Sequence, residues 1–286
     1  RPLIGLSVNI RSGSFLDPEG KEGLANLTGH LMARGGIPSK PADELDEELE
    51  FLAARLSSSF GGLNGSISLN LLSKDVDRGF EILRAVLAAP SFQEDKLALR
   101  KTQLLQGLKQ RNDDSRNIAT RERNFLAYGE NFWFNRHTTA ASLESIRRED
   151  LLAFHHKWVH PRNFVVSISG DFDRDAMLER LDGVFAAWPH PSEKAPSVPQ
   201  EREYGKPGVY IVDKDVNQGR VSIMLPGIRW DNPDYHAIQV MNDVLGGGGF
   251  TSRITNRVRS DEGLAYSARS AFPGGAHYPV VFRGGF

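Results

Sequence analysis

The chain has 286 residues, which is more than one ordinary core needs and suits two domains. Its composition is that of a globular protein, 40% hydrophobic and 25% charged, and a net charge of −1 gives no electrostatic case for nucleic acid or an anionic membrane. No apolar run reaches the roughly 20 residues of a membrane span, and the absence of cysteine excludes disulfides, thiolate metal sites and a cysteine nucleophile.

Ile4, Leu6, Val8 and Ile10 alternate with small or polar residues and predict a half-buried strand. Asp17-Pro18-Glu19-Gly20 is a turn signal, and Leu24, Leu27 and Leu31 predict a helix over 22–34 that ends at Gly35-Gly36. An acidic helix follows at about 43–55, then a strand through Ile67, Leu69 and Leu71. Val76, Phe80, Leu83 and Leu87 recur at helical spacing up to Pro90. Helices are expected at about 93–112, 116–128, 148–159 and 173–186, with a strand over Phe164–Ser169. Residues 189–207 hold five of the fifteen prolines and read as a linker. The pattern then restarts: strands at Val209–Val212 and through Val221, Ile223 and Leu225, a helix over 233–245 opened by Asn232-Pro233, and a last strand over Tyr278–Phe286.

Val8–Gly36 can be laid on Val221–Gly249 without a gap, so that Leu24, Leu27 and Leu31 fall on Ala237, Val240 and Val244. Any strand–loop–helix unit aligns about this well, so the overlay leaves open whether the α+β domain is duplicated. A duplication implies domains at 1–188 and 208–286, joined by the 189–207 linker, with the second truncated. Residue 1 is Arg rather than Met, and both ends already read as strands, so a fragment is expected, with any signal peptide out of view.

Gly23-Leu24-Ala25-Asn26-Leu27-Thr28-Gly29-His30-Leu31 resembles the helix that carries H-x-x-E-H in the insulinase/pitrilysin (inverzincin) peptidases. There, two histidines hold zinc, the glutamate between them activates water, and a second glutamate 77 residues on completes the site. Here Asn26 stands for the first histidine, Gly29 for the catalytic glutamate and Gly107 for the distal one, while His30 is kept. One imidazole cannot hold zinc tightly, so no metal is expected on this chain. Further pieces follow the family's order: Ser91-Phe92-Gln93-Glu94, Leu143-Glu144-Ser145-Ile146 and Asn163-Phe164-Val165-Val166.

The second stretch of resemblance is Gly246-Gly247-Gly248-Gly249-Phe250-Thr251-Ser252-Arg253 with Arg259-Ser260-Asp261-Glu262-Gly263-Leu264-Ala265-Tyr266. Arg259 and Tyr266 match an Arg/Tyr pair of the family's non-zinc domain. The resemblance implies that the tyrosine hydroxyl donates to the scissile carbonyl oxygen and that the arginine anchors substrate backbone or carboxylate. Gly247, Gly248, Gly249 and Phe250 are the expected substrate-binding neighbours. The glycine run follows a helix and lacks G-x-x-x-x-G-K, against a phosphate cradle. His155, His156 and His160 read as surface or partly packed histidines, and Phe132, Trp133 and Phe134 as core or interface packing.

The resemblance implies two α+β units, each a mainly antiparallel sheet packed with helices, forming half of a clam-shell. It implies a substrate-binding, non-zinc subunit, inactive alone, of a heterodimeric zinc metallopeptidase. The partner would be a homologous zinc-bearing subunit and the substrate an unfolded peptide, with no nucleic acid and no membrane insertion. Alternatives are a proteolytically inactive scaffold, as in respiratory-complex cores, and a peptide-binding or chaperone-like protein. Family habit points to a bacterial periplasm or envelope, with the cytoplasm the alternative.

Overall fold

The computed structural model describes residues 2–186, 188, 193–200 and 204–286. It is an α+β protein with two antiparallel sheets. Two compact units are present, one of residues 1–109 and 137–197, the other of 110–136 and 198–286. Residues 110–136, which the sequence reading keeps with the first 188, group with the second unit. Linker residues Pro189 and Pro191 lie outside the described residues.

In the first unit, strands β1 (Leu3–Ile10), β2 (Arg55–Phe60), β3 (Gly65–Leu72) and β4 (Phe164–Gly170) form a sheet in the order β2-β3-β1-β4. Ile4, Leu6, Val8 and Ile10 of β1 are buried on one face, as the period-2 pattern requires. They pack with Leu24, Leu27 and Leu31 of α1 (Leu24–Arg34) and with Phe80, Leu83 and Leu87 of α3 (Val76–Ala88). Full burial of each such side chain contributes about 2 kcal/mol. The unit also holds α2 (Ala42–Phe51), α4 (Glu94–Gln110), α6 (Ala140–Ser145), α7 (Arg148–Trp158) and α8 (Arg174–Phe185). The acidic helix stops at Phe51, short of the expected 55, because Ala53 turns to positive φ and Arg55 starts β2. β2 escaped the sequence reading because its inward positions are Leu56, Ser58 and Phe60, too polar to show as alternation.

The second unit contains α5 (Ser115–Tyr128), β5 (Ser222–Ile228), α9 (Tyr235–Asn242), β6 (Arg269–Ala271) and β7 (Val280–Gly285). Its sheet order is β5-β7-β6, which repeats the β1-β3-β2 order of the first sheet. The helix expected over 233–245 is shorter and passes into a π-helical turn at Asp243–Gly247. The strand expected at Val209–Val212 does not form. Val209 is 92% and Ile211 87% exposed, and the segment has no ladder partner among the described residues. Alternation shows which residues suit a strand; without a neighbouring edge to bond, it makes none. Phe132 and Trp133 are buried, and both pack against Tyr278. Among the described residues no helix is long and apolar enough to cross a membrane.

Candidate functional site

The degenerate zinc motif lies on α1. A buried carboxylate, Asp17, caps this helix, accepting from the backbone N–H groups of Gly23 (2.9 Å) and Ala25 (2.8 Å). Asn26 is exposed and His30 half-buried, four residues apart. Gly29 is pressed against β2: a Cβ there would meet the Phe60 backbone nitrogen at 2.3 Å and the Ser59 carbonyl carbon at 2.8 Å. The Ser58 hydroxyl joins the two elements, donating to the Gly29 carbonyl and accepting from the Ala33 N–H. Gly107, on exposed α4, offers no side chain. Burial, then the guanidinium groups of Arg100 and Arg34, hold the His30 imidazole below its usual 6.5.

These residues do not fit a zinc ion. One imidazole, one amide and two glycines are no ligand set, the surrounding charge is positive, and the catalytic glutamate has no room. No group of three metal-capable side chains occurs among the described residues. His155 and His160 are wholly buried rather than on the surface, each with Nε2 at a backbone carbonyl oxygen, that of Leu87 and of Glu193. They serve the core.

The Arg/Tyr site is built from the loop after α9. Gly246 is buried and packs so closely on Ser270 that a Cβ would meet its Oγ at 2.5 Å. The space beside Gly247 and Gly248 is filled by the Asn242 amide and the Asp243 carbonyl, so these two glycines serve the turn itself. Gly249 has φ +65°, a left-handed conformation that favours glycine, and swings the chain so that Phe250 stands out, 73% exposed. Arg253–Thr255 forms one helical turn and continues as a π-helical turn, Asn256–Asp261, that carries Arg259. Such turns occur often at functional sites.

A buried hydroxyl pair fixes this helix to the strand beyond it. Thr255 Oγ1 donates to the Ala268 carbonyl (2.8 Å), and Ser252 Oγ lies 2.8 Å from Thr255 Oγ1. Ser270 Oγ donates to Asn242 Oδ1 at 2.8 Å, also buried, and ties α9 to β6. The Arg259 guanidinium sits 4.6 Å from the Phe250 ring centroid and 4.7 Å from that of Tyr266. Tyr266 is 82% exposed.

Three of the expected site residues, Phe250, Arg259 and Tyr266, are therefore brought together. Ser252 and Thr255 escaped the sequence reading, since hydroxyls that brace a helix carry no spacing signal. Ser58 escaped it because β2 did.

A model of the insulinase family, peptidase family M16, matches residues 3–136, and one of the peptidase M16 inactive domain matches 145–278. This chain belongs to the insulinase family. A curated insulinase-family relative is a protein of Helicobacter pylori named non-peptidase homolog YmxG, 28% identical over 97% of this chain and 64% of its own length. Another, an uncharacterized zinc protease of Rickettsia bellii, is 22% identical over 93% of this chain and 64% of its own length. The chain thus spans somewhat less than two thirds of these relatives. Among solved structures, the peptidase M16 inactive domain of Pseudomonas fluorescens superposes with a TM-score of 0.84 and 27% identity, over 99% of this chain and 68% of that one. Its second half matches the domain that the family's models call inactive, and its first half lacks the motif that holds zinc.

Proposed function

We propose that this chain is the substrate-positioning, zinc-free subunit of a heterodimeric zinc metalloendopeptidase. It holds an unfolded peptide with Arg259 and Tyr266, and a homologous subunit with an intact H-x-x-E-H makes the cut. The chain itself binds no cofactor. One observation carries this reading: Arg259 lies 4.7 Å over the Tyr266 ring, whose phenol-bearing side chain is largely exposed. A scaffold that had lost all contact with peptide has no use for such a pair.

The chemistry asked of the pair is modest. The Tyr266 hydroxyl donates to the oxygen of the scissile carbonyl as charge builds on it. One such donor supplies about 3–4 kcal/mol, or ~10²–10³ in rate. The guanidinium fixes the peptide's register. Proton transfer and water activation belong to the partner, because nothing on α1 is left to perform them.

The test is reconstitution. The purified chain alone should hold no stoichiometric zinc by metal analysis and hydrolyse no peptide. With the zinc-bearing homologue added, activity should appear, and Tyr266→Phe in that complex should lower kcat about 10²-fold. A complex that turns over at the full rate with Tyr266→Phe removes the tyrosine from the mechanism. About one zinc per isolated chain removes the division of labour.

A further inference from the structure

Resting on the reading that this chain holds a peptide, we infer that His30 of α1 and Arg100 of α4 form a receptor for one acidic side chain of that peptide. The site lies in the first unit, where the family's H-x-x-E-H helix carries its second histidine. Asn26, His30 and Arg34 recur every four residues and share a stripe of α1. The Gly29 side of the helix is closed by β2, but this stripe is not: Asn26 is exposed and His30 half-buried. Helix α4 begins where α1 ends, the Gln93 N–H donating to the Gly35 carbonyl at 3.0 Å. It carries Lys96 and Arg100, also four apart, and Arg100 stands near enough to act on the His30 imidazole.

These four basic side chains are not treated alike. Arg34 makes a two-pronged bond to Asp46 of α2, at 2.9 and 3.0 Å, and Lys96 an ion pair with Asp43 at 2.5 Å. One turn further along each helix the carboxylates run out. His30 makes no hydrogen bond or ion pair among the described residues, and the charges that act on it are guanidinium groups alone, those of Arg100 and Arg34. Arg100 has one neutral partner, the Gln103 side-chain oxygen at 3.2 Å, while its Nε is buried without an acceptor. The surface beyond is neutral and open: the Asn26 amide is exposed, and a Cβ at Gly107 would meet nothing within 4 Å.

An imidazole and a guanidinium with no carboxylate between them suit an anion. Folding has already removed part of the water from Arg100, so a carboxylate that reaches it meets a cation stripped in advance. The terminal nitrogens of the guanidinium present N–H donors to a planar acceptor with two oxygens, and the imidazole N–H supplies another. The side chain of a glutamate or aspartate meets these needs. A glutamine keeps the shape and brings no charge. The site thus reverses the charge logic of the family's zinc motif: where that motif gathers ligands around a cation, this chain gathers basic groups without an acid.

Three fluorescent peptides of one otherwise uncharged sequence, blocked at both ends, are titrated into the chain and followed by anisotropy. They differ at one central residue, which is glutamate, glutamine or lysine. The glutamate peptide should bind about tenfold more tightly than the glutamine peptide, and the lysine peptide more weakly than both. Arg100→Gln should remove most of that preference, and His30→Gln should lower it about threefold. Arg100→Lys, which keeps the charge and loses the fork, should retain only part of it. Arg174→Gln takes the same charge from α8 and should leave the preference as it is. Equal affinity for the glutamate and glutamine peptides, or binding of neither, overturns the receptor. Equal losses in Arg174→Gln and Arg100→Gln assign the preference to net charge and overturn it as well. If Arg100→Gln does not fold, the unsubstituted chain and His30→Gln still decide the matter.

The two readings fail separately. Equal affinities for the glutamate and glutamine peptides leave the role of Tyr266 in the reconstituted complex untouched. A full-rate Tyr266→Phe complex leaves the glutamate preference untouched.

Discussion

The turn of α1 that carries Gly29 and His30 and the π-helical turn that carries Arg259 differ in how their basic side chains are housed. Beside Gly29 of α1 the space is shut. Gly29 abuts the backbone of Phe60, a serine hydroxyl bridges helix to strand, and two guanidinium groups surround the imidazole. Around Arg259 nothing of the kind is seen: two exposed rings, Phe250 and Tyr266, lie beside the cation, and its guanidinium makes no hydrogen bond or ion pair among the described residues. The difference teaches that a missing ligand set is written in packing as well as in the sequence, since the space a glutamate would need at 29 is taken by β2.

Replacing residues at the two turns tests that contrast, and the largest effect is expected at Gly29. Gly29→Glu restores the family's side chain but drives it into β2, and should destabilise the chain by about 3 kcal/mol or more in urea unfolding. Arg259→Lys, by contrast, should stay within about 0.5 kcal/mol of the parent, since Arg259 makes no hydrogen bond or ion pair among the described residues. A Gly29→Glu chain as stable as the parent would show that α1 can lift from the strand, and the contrast would collapse.

A smaller effect is expected at the cap of α1. Asp17→Ala leaves the N–H groups of Gly23 and Ala25 without an acceptor and should cost about 2 kcal/mol, read from the same unfolding curves.

The smallest effect is in pH. Burial and the two arginines hold His30 below 6.5, so the unfolded chain takes up that proton first as pH falls. Stability from this group is therefore complete above about pH 6.5 and declines as pH drops towards the lower folded value. His160, also lowered chiefly by burial, contributes with the same sign. His30→Gln should flatten the decline between pH 7 and 5; an unchanged slope would mean that neither burial nor the arginines lower the imidazole in the folded chain.

Much of this was legible in the sequence, for reasons particular residues make plain. The β1 alternation and the Leu24, Leu27, Leu31 stripe are strong periodic signals, and burial follows them. The seven-residue spacing of Arg259 and Tyr266 is plain in the sequence, and the two side chains lie together in the structure. Val209–Val212 misled, since apolar alternation implies pairing only when an edge is offered. β2 was hidden because Ser58 occupies an inward position for the sake of α1. The brace of Ser252 and Thr255 was hidden too: its geometry depends on where Ala268 arrives, which no local pattern encodes.

The close seat of Gly29 on β2 also bears on how this lineage can evolve. Recovery of catalysis needs a histidine at 26, glutamates at 29 and 107, and a displaced strand, all together. A variant with the glutamate at 29 alone would be less stable and still unable to hold metal, so selection has no gradient to follow. The bare backbone at 29 is thus what the seat of α1 on β2 requires, and any side chain there would have to move the strand.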